Sequence, residues 1–235
     1  MQKKKRLFAA DPEEQTGFWR FMTILFAEFF DLVIVNLLFL PISIGVVTIP
    51  AAVTGLAGIT MNMMEGKNHF PGKDFFEPFR KKFLRCLGVG ATFFAAEAFA
   101  VLSIVLYSSL AVQRGAGFYL LAGIAAGILI LEQMIAVCAF PLLARTGMTY
   151  GQLLPAAKNI AFAHAGRSFA AAMINTALLT VSFLLFPGSI IFVIFIEFSF
   201  MSFIASYLMF PALKACLDET EKGEGPADSP EGRNG

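Results

Sequence analysis

Five carboxylates lie in stretches of sequence that are otherwise apolar: Glu28, Asp31, Glu97, Glu132 and Glu197. No Lys, Arg or His shares those stretches with them. A charged acid at the centre of a membrane helix costs roughly 2.5–3.5 kcal/mol on insertion scales. Each acid must therefore be neutral or turned toward water or a polar partner. Glu28 and Asp31 are three residues apart, which puts them on one face of a helix. Two chemistries fit such a set. One is a proton or cation pathway through the bundle. The other is hydrogen bonding between helices, with Asn36, Asn62, Gln133 or Asn175 as partners. The residues leave both open.

Other chemistries have less to stand on. His69 and His164 fall in separate loops without ligand spacing around them and are expected to be solvated. There is no HExxH, no GxSxG and no P-loop. Cys86, Cys138 and Cys216 are odd in number and form no CxxC pair, so neither a disulfide nor a thiol metal site is expected. The expectation is a non-enzyme with no catalytic residues, no cofactor, no resident metal and no nucleic-acid partner.

The elements that must carry these acids are membrane spans. Of the 235 residues 57% are hydrophobic and only 15% are charged, against a usual quarter charged in soluble domains. The apolar residues gather in six blocks, roughly 21–47, 48–64, 86–112, 117–143, 168–186 and 188–213. A span needs about 20 residues. The second block is short, about 25 Å as a helix. The expected fold is an all-α polytopic transmembrane helix bundle of about six spans. Residues 1–17 are expected to be a flexible lead, 18–217 the helical domain, and 218–235 a disordered tail too poor in apolar residues to order itself. The basic start leads into Asp11, Glu13 and Glu14 with no small-residue cleavage site, so the first block reads as a retained span.

Lys and Arg fall almost wholly on one side of this arrangement. If all six blocks cross, Arg114 alone lies opposite the others. The positive-inside rule then puts both termini, the 65–85 loop and the 147–167 loop in the cytoplasm of a multi-pass cell-membrane protein. Within the first loop Phe75, Phe79 and Phe83 recur every fourth residue, flanked by Arg80, Lys81 and Lys82. That pattern predicts a short amphipathic helix at the inner interface. It reads either as a docking face for a cytoplasmic partner or as an ordinary interfacial helix. The loop at Tyr150–Arg167 occupies the position of the coupling loop of sugar-importer permeases, but Pro155-Ala156-Ala157 lacks the Glu and the following Gly of that motif. A GxxxG at Gly123 and Gly127 predicts close packing inside the bundle.

Asn36-Leu37-Leu38-Phe39-Leu40, Val46-Val47-Thr48-Ile49, Ala52 and Thr54-Gly55-Leu56 resemble the first signature of the YesL-like predicted integral membrane proteins. Gly66, Asp74-Phe75-Phe76, Phe79-Arg80 and Lys82-Phe83 resemble the second. The likeness covers roughly residues 30–90. Gly45 stands where the family usually has Pro, and Pro50 where it has Gly, which alters the turn between the first two spans. The resemblance implies an accessory role linked to carbohydrate uptake or utilisation, with a sugar transporter complex as partner besides the lipid bilayer. It assigns no catalytic residues. The other reading is a small proton- or cation-coupled secondary transporter built on the intramembrane acids.

Overall fold

A computed structural model of the chain describes residues 17–223, with side chains to Asp218. The expected N-terminal lead and most of the expected tail lie outside the described residues. Among those described there are helices and turns and no strand. The helices are α1 Phe18–Ser43, α2 Ile49–Met64, α3 Pro71–Phe75, α4 Glu77–Lys81, α5 Phe83–Arg114, α6 Phe118–Arg145, α7 Tyr150–Ala163, α8 Ala165–Leu184, α9 Ile190–Phe192 and α10 Phe198–Gly223. A π-helical turn, Val193–Glu197, joins α9 to α10 as one rod. Six segments are long and apolar enough to cross a membrane. This is the expected all-α bundle, and α10 continues beyond the predicted tail boundary at Asp218.

The short second segment proves to be the central post. Within Val46–Met64, 61% of the most apolar window is buried inside the protein, against 17% for Phe83–Arg114. α2 touches α1, α5, α6 and α10. Small residues make that possible. A Cβ on Gly55 would lie 2.6 Å from the Phe75 carbonyl oxygen, and one on Gly90 would lie 2.1 Å from Cγ of Pro50. Glycine at these two positions is what lets α3 and α5 close on α2. The GxxxG expected to pack inside does not: a Cβ on Gly123 or Gly127 meets nothing within 4 Å. Spacing alone does not say which side of a helix faces its neighbours.

The segment predicted as one amphipathic helix folds as two single turns, α3 and α4, because Pro78 has no N–H to continue the first. Its aromatic ladder turns inward. Phe75 is fully buried against α2, Phe79 packs on both hydrophobic clusters of the core, and Phe83 packs on one. The ring centroids of Phe75, Phe79 and Phe83 step by 6.1 and 6.3 Å. The ladder therefore seals the end of the bundle rather than offering a face to a partner; apolar rings are worth more buried on α2 than exposed. Lys82 is likewise engaged. Its Nζ donates to the carbonyls of Leu143, Ala144 and Thr146, capping the C-terminus of α6. Arg80 and Lys81 remain at the surface, Lys81 paired to Glu77 at 2.8 Å.

Two more basic residues make contacts at this same end. Arg85 donates to the Gly147 carbonyl, and Arg145 lies 2.6 Å from Glu65. α7 begins with a Thr149–Gln152 capping box and buries Leu153, Ala157 and Ala161, one residue per turn, along α6. Pro155-Ala156-Ala157 is thus part of a packed helix.

Candidate functional site

The acids separate into three settings. The first lies on α1. Glu28 and Asp31 share a face, as their spacing requires, and His69 is brought onto it. His69 Nε2 is 3.3 Å from Glu28 Oε2 and 3.1 Å from Asp31 Oδ2. The side chains of His69 and Glu28 are 2% and 5% exposed, that of Asp31 22%. This corrects the expectation of a solvated His69; His164 is exposed. What delivers the imidazole is the end of α2. Gly66 has φ of 63°, its N–H bonds to the Met63 carbonyl, and the Lys67 N–H bonds to that of Asn62. That is a Schellman ending, which reverses the chain at a left-handed glycine. The sequence carries this signal at Gly66, but not where the reversed chain lands. His69 Nδ1 lies 3.1 Å from the Lys67 carbonyl oxygen, which can only accept, so Nδ1 carries a proton. The hydrogen bond with Glu28 holds His69 above its ordinary value of 6.5, against the opposing effect of burial, and the charges of Glu28 and Asp31 add to it.

The second setting is a cavity of about 420 Å³ between the helices. Glu97, midway along α5, and Glu132, midway along α6, both line it, together with Gln133, Asn175, Ser202 and Ser206. Phe39, Phe93, Phe140 and Phe198 form apolar walls. Gln133 Nε2 donates to Glu97 Oε1 at 3.4 Å, one of the amide–acid pairings expected from the sequence. Ser206 and Ser202 share hydrogen bonds with Thr60 of α2 at 2.8 and 3.1 Å. Glu132 Oε2 and Asn175 Oδ1 are buried and have no hydrogen-bond partner among the described residues. Unpaired buried polar atoms are rare, and each calls for a partner.

The third setting is Glu197, 1% exposed, in the π-turn of the last rod. It is not among the cavity residues. The turn itself is held by Asn36. Its Nδ2 donates to the carbonyls of Val193 and Ile194 at 3.0 and 2.8 Å, and its Oδ1 accepts from the Ser199 N–H at 3.0 Å. A π-turn breaks the regular ladder and frees such groups, and π-turns recur at functional positions. Asn36 thus bonds to backbone, not to an acid.

The family described as "Protein of unknown function, DUF624" matches residues 32–104. That stretch holds Asn36, α2, His69, the aromatic connector and Glu97, and it overlaps the region of the resemblance noted from the sequence. No curated protein and no solved structure matches the chain.

Proposed function

We propose that this multi-pass membrane protein moves a small hydroxylated solute, of the sugar class, coupled to protons through Glu97 and Glu132. The observation that carries the reading is that two acids from different helices meet at one intramembrane cavity instead of being scattered toward lipid. Its volume falls in the range of small-molecule sites. Its lining suits that solute class: carboxyl, amide and hydroxyl groups for sugar hydroxyls, aromatic faces for the C–H surfaces of the ring. Glu132, whose carboxyl belongs to the cavity lining, is the residue positioned to exchange a proton as solute enters. The resemblance to a group linked to carbohydrate use points to the same solute class. By the positive-inside rule the end bearing Lys82, Arg85 and Arg145 faces the cytoplasm.

Proteoliposomes with an entrapped pH indicator test this. Addition of a panel of neutral mono- and disaccharides should drive proton movement in the wild type, and Glu132→Gln should abolish it. Absence of flux for every sugar, or flux unchanged in both Glu97→Gln and Glu132→Gln, would remove the basis of the reading.

An accessory role beside a sugar transporter is the second reading. It is supported by the exposed edge Phe76–Arg80–Lys81, which the inward turn of the Phe75 ladder leaves fixed on the bundle end. Co-purification of a transporter in mild detergent, lost on reversing the charge of Arg80 and Lys81, would favour it over the first.

A further inference from the structure

The Glu28–Asp31–His69 cluster lies outside the proposed solute cavity and has the form of a ligand set. Its three donor atoms, one imidazole nitrogen and one oxygen from each carboxylate, all lie within 4.8 Å of one another. We propose that it binds a divalent first-row transition-metal ion of the manganese, iron or zinc type, tying the connector after α2 to α1.

Four features support this. The separations of Nε2 from the two carboxylate oxygens, 3.1 and 3.3 Å, are the edges expected between ligands that each sit about 2.0–2.2 Å from a shared metal. The tautomer is set for it: Nδ1 bonds to the Lys67 carbonyl, so Nε2 is the nitrogen turned toward the carboxylates. A backbone carbonyl on the far nitrogen is the usual outer-shell support for a metal-bound histidine. His69 and Glu28 are almost wholly buried while Asp31 is partly exposed, so the cluster is reached from the Asp31 side. One imidazole with two carboxylates and no thiol selects against soft Cu(I), and the imidazole selects against calcium and magnesium. The proton on Nε2 is the competitor for the same place, since it too is a cation between two carboxylates.

The metal would have a mechanical consequence. His69 is joined by Asn68, Lys67 and Gly66 to the end of α2, and Glu28 and Asp31 belong to α1. A shared ion would cross-link the two helices at the basic end and fix the Schellman turn that positions Glu65 for Arg145.

The test uses full-length, tag-free protein in detergent, stripped with EDTA and titrated with Mn²⁺ and Zn²⁺. The expected result is saturable binding of one ion per chain. His69→Ala should weaken it by more than the roughly 10–100-fold that loss of an outer-shell partner costs. Glu28→Gln should weaken it as well, and His164→Ala should leave it unchanged. Should the His69 variant fail to fold, electron spin-echo spectroscopy of Mn²⁺ on the His164→Ala protein decides the matter. The chain has two histidines, so any imidazole nitrogen coupling there comes from His69. Absence of saturable binding, or bound Mn²⁺ without nitrogen coupling, would overturn the proposal.

Discussion

The acids at the basic end of the bundle and those midway along its helices solve the same burial problem differently. At the end, Glu28 and Asp31 meet His69, while Glu65 meets Lys67 and Arg145. The basic side chains Lys67 and His69 come from one short connector after α2. Midway, Glu97 has the amide of Gln133, and Glu132 and Glu197 each keep a buried oxygen unpaired. Charge compensation is cheap where a loop can fold back and costly where only helix faces are available. The basic end therefore reads as architecture held by ion pairs, and the middle as a place where a proton or a solute completes the bonding.

The largest effect should come from breaking the neutral polar bonding of the middle. Asn36→Ala removes three hydrogen bonds to the π-turn and leaves buried backbone groups unpaired. At about 1–3 kcal/mol for each unsatisfied group, the loss should exceed 3 kcal/mol. Thermal unfolding in detergent would show it, together with a faster-exchanging stretch around Val193–Ser199. If Asn36→Ala instead left both unchanged, the π-turn would not depend on its partner in α1.

Next in size is Gly90→Ala. Its new methyl would overlap Pro50, and overpacking of this kind costs about 1–3 kcal/mol. Because Gly90 and Pro50 both line the cavity, α2 and α5 must part there. Sugar-driven proton flux should fall while Mn²⁺ binding at His69 stays as in the wild type. Loss of both together would mean that the two regions are not separable.

Glu132→Leu sharpens the contrast in the opposite direction. A residue kept for function rather than fold should be replaceable by an apolar one at a gain. Removing a buried unsatisfied carboxyl should raise stability by about 1 kcal/mol while ending flux. A clear loss of stability would instead make Glu132 a structural hydrogen-bonding residue.

The fold was largely legible because six long apolar blocks with one-sided basic loops admit few arrangements. The shared face of Glu28 and Asp31 and the pairing of Gln133 with Glu97 were also within reach, since they follow from helical spacing and chemical type. His69 was not. The hydrogen bond it forms with Asp31 spans 38 positions, and nothing in the run Glu65–Phe70 says where a reversed chain comes to rest. The Phe75–Phe79–Phe83 period predicts one face, and the three rings lie in one ladder, but period does not say whether a face meets solvent, lipid or protein. The glycines make the same point: Gly123 and Gly127 have the GxxxG spacing and no neighbour within 4 Å among the described residues, whereas Gly55 and Gly90 lie outside any GxxxG and make the close contacts.

The smallest effect is expected at Glu65, and its sign separates the two regions by pH. Burial alone would raise the Glu65 carboxyl, but the contact with Lys67 and the charge and contact of Arg145 outweigh it and hold it below its ordinary 4.5. Its oxygen lies 2.6 Å from both Lys67 Nζ and Arg145 Nη2, as a charge pair more than an aligned hydrogen bond. A carboxylate with a depressed folded value contributes stability above its unfolded value and loses that contribution as pH falls through the folded one. Glu65→Gln should therefore be less stable than the wild type at pH 7 by about 0.5 kcal/mol, since Lys67 is mostly exposed and Arg145 only partly so. The gap should begin to close as the pH drops below the ordinary 4.5 and be gone once it has fallen through the lower folded value, where both proteins carry a neutral group at this position. Paired melting curves in detergent from pH 7 downward read this difference directly. A gap that persisted unchanged at low pH would show that Glu65 acts through packing, and that the basic end is not held by charge.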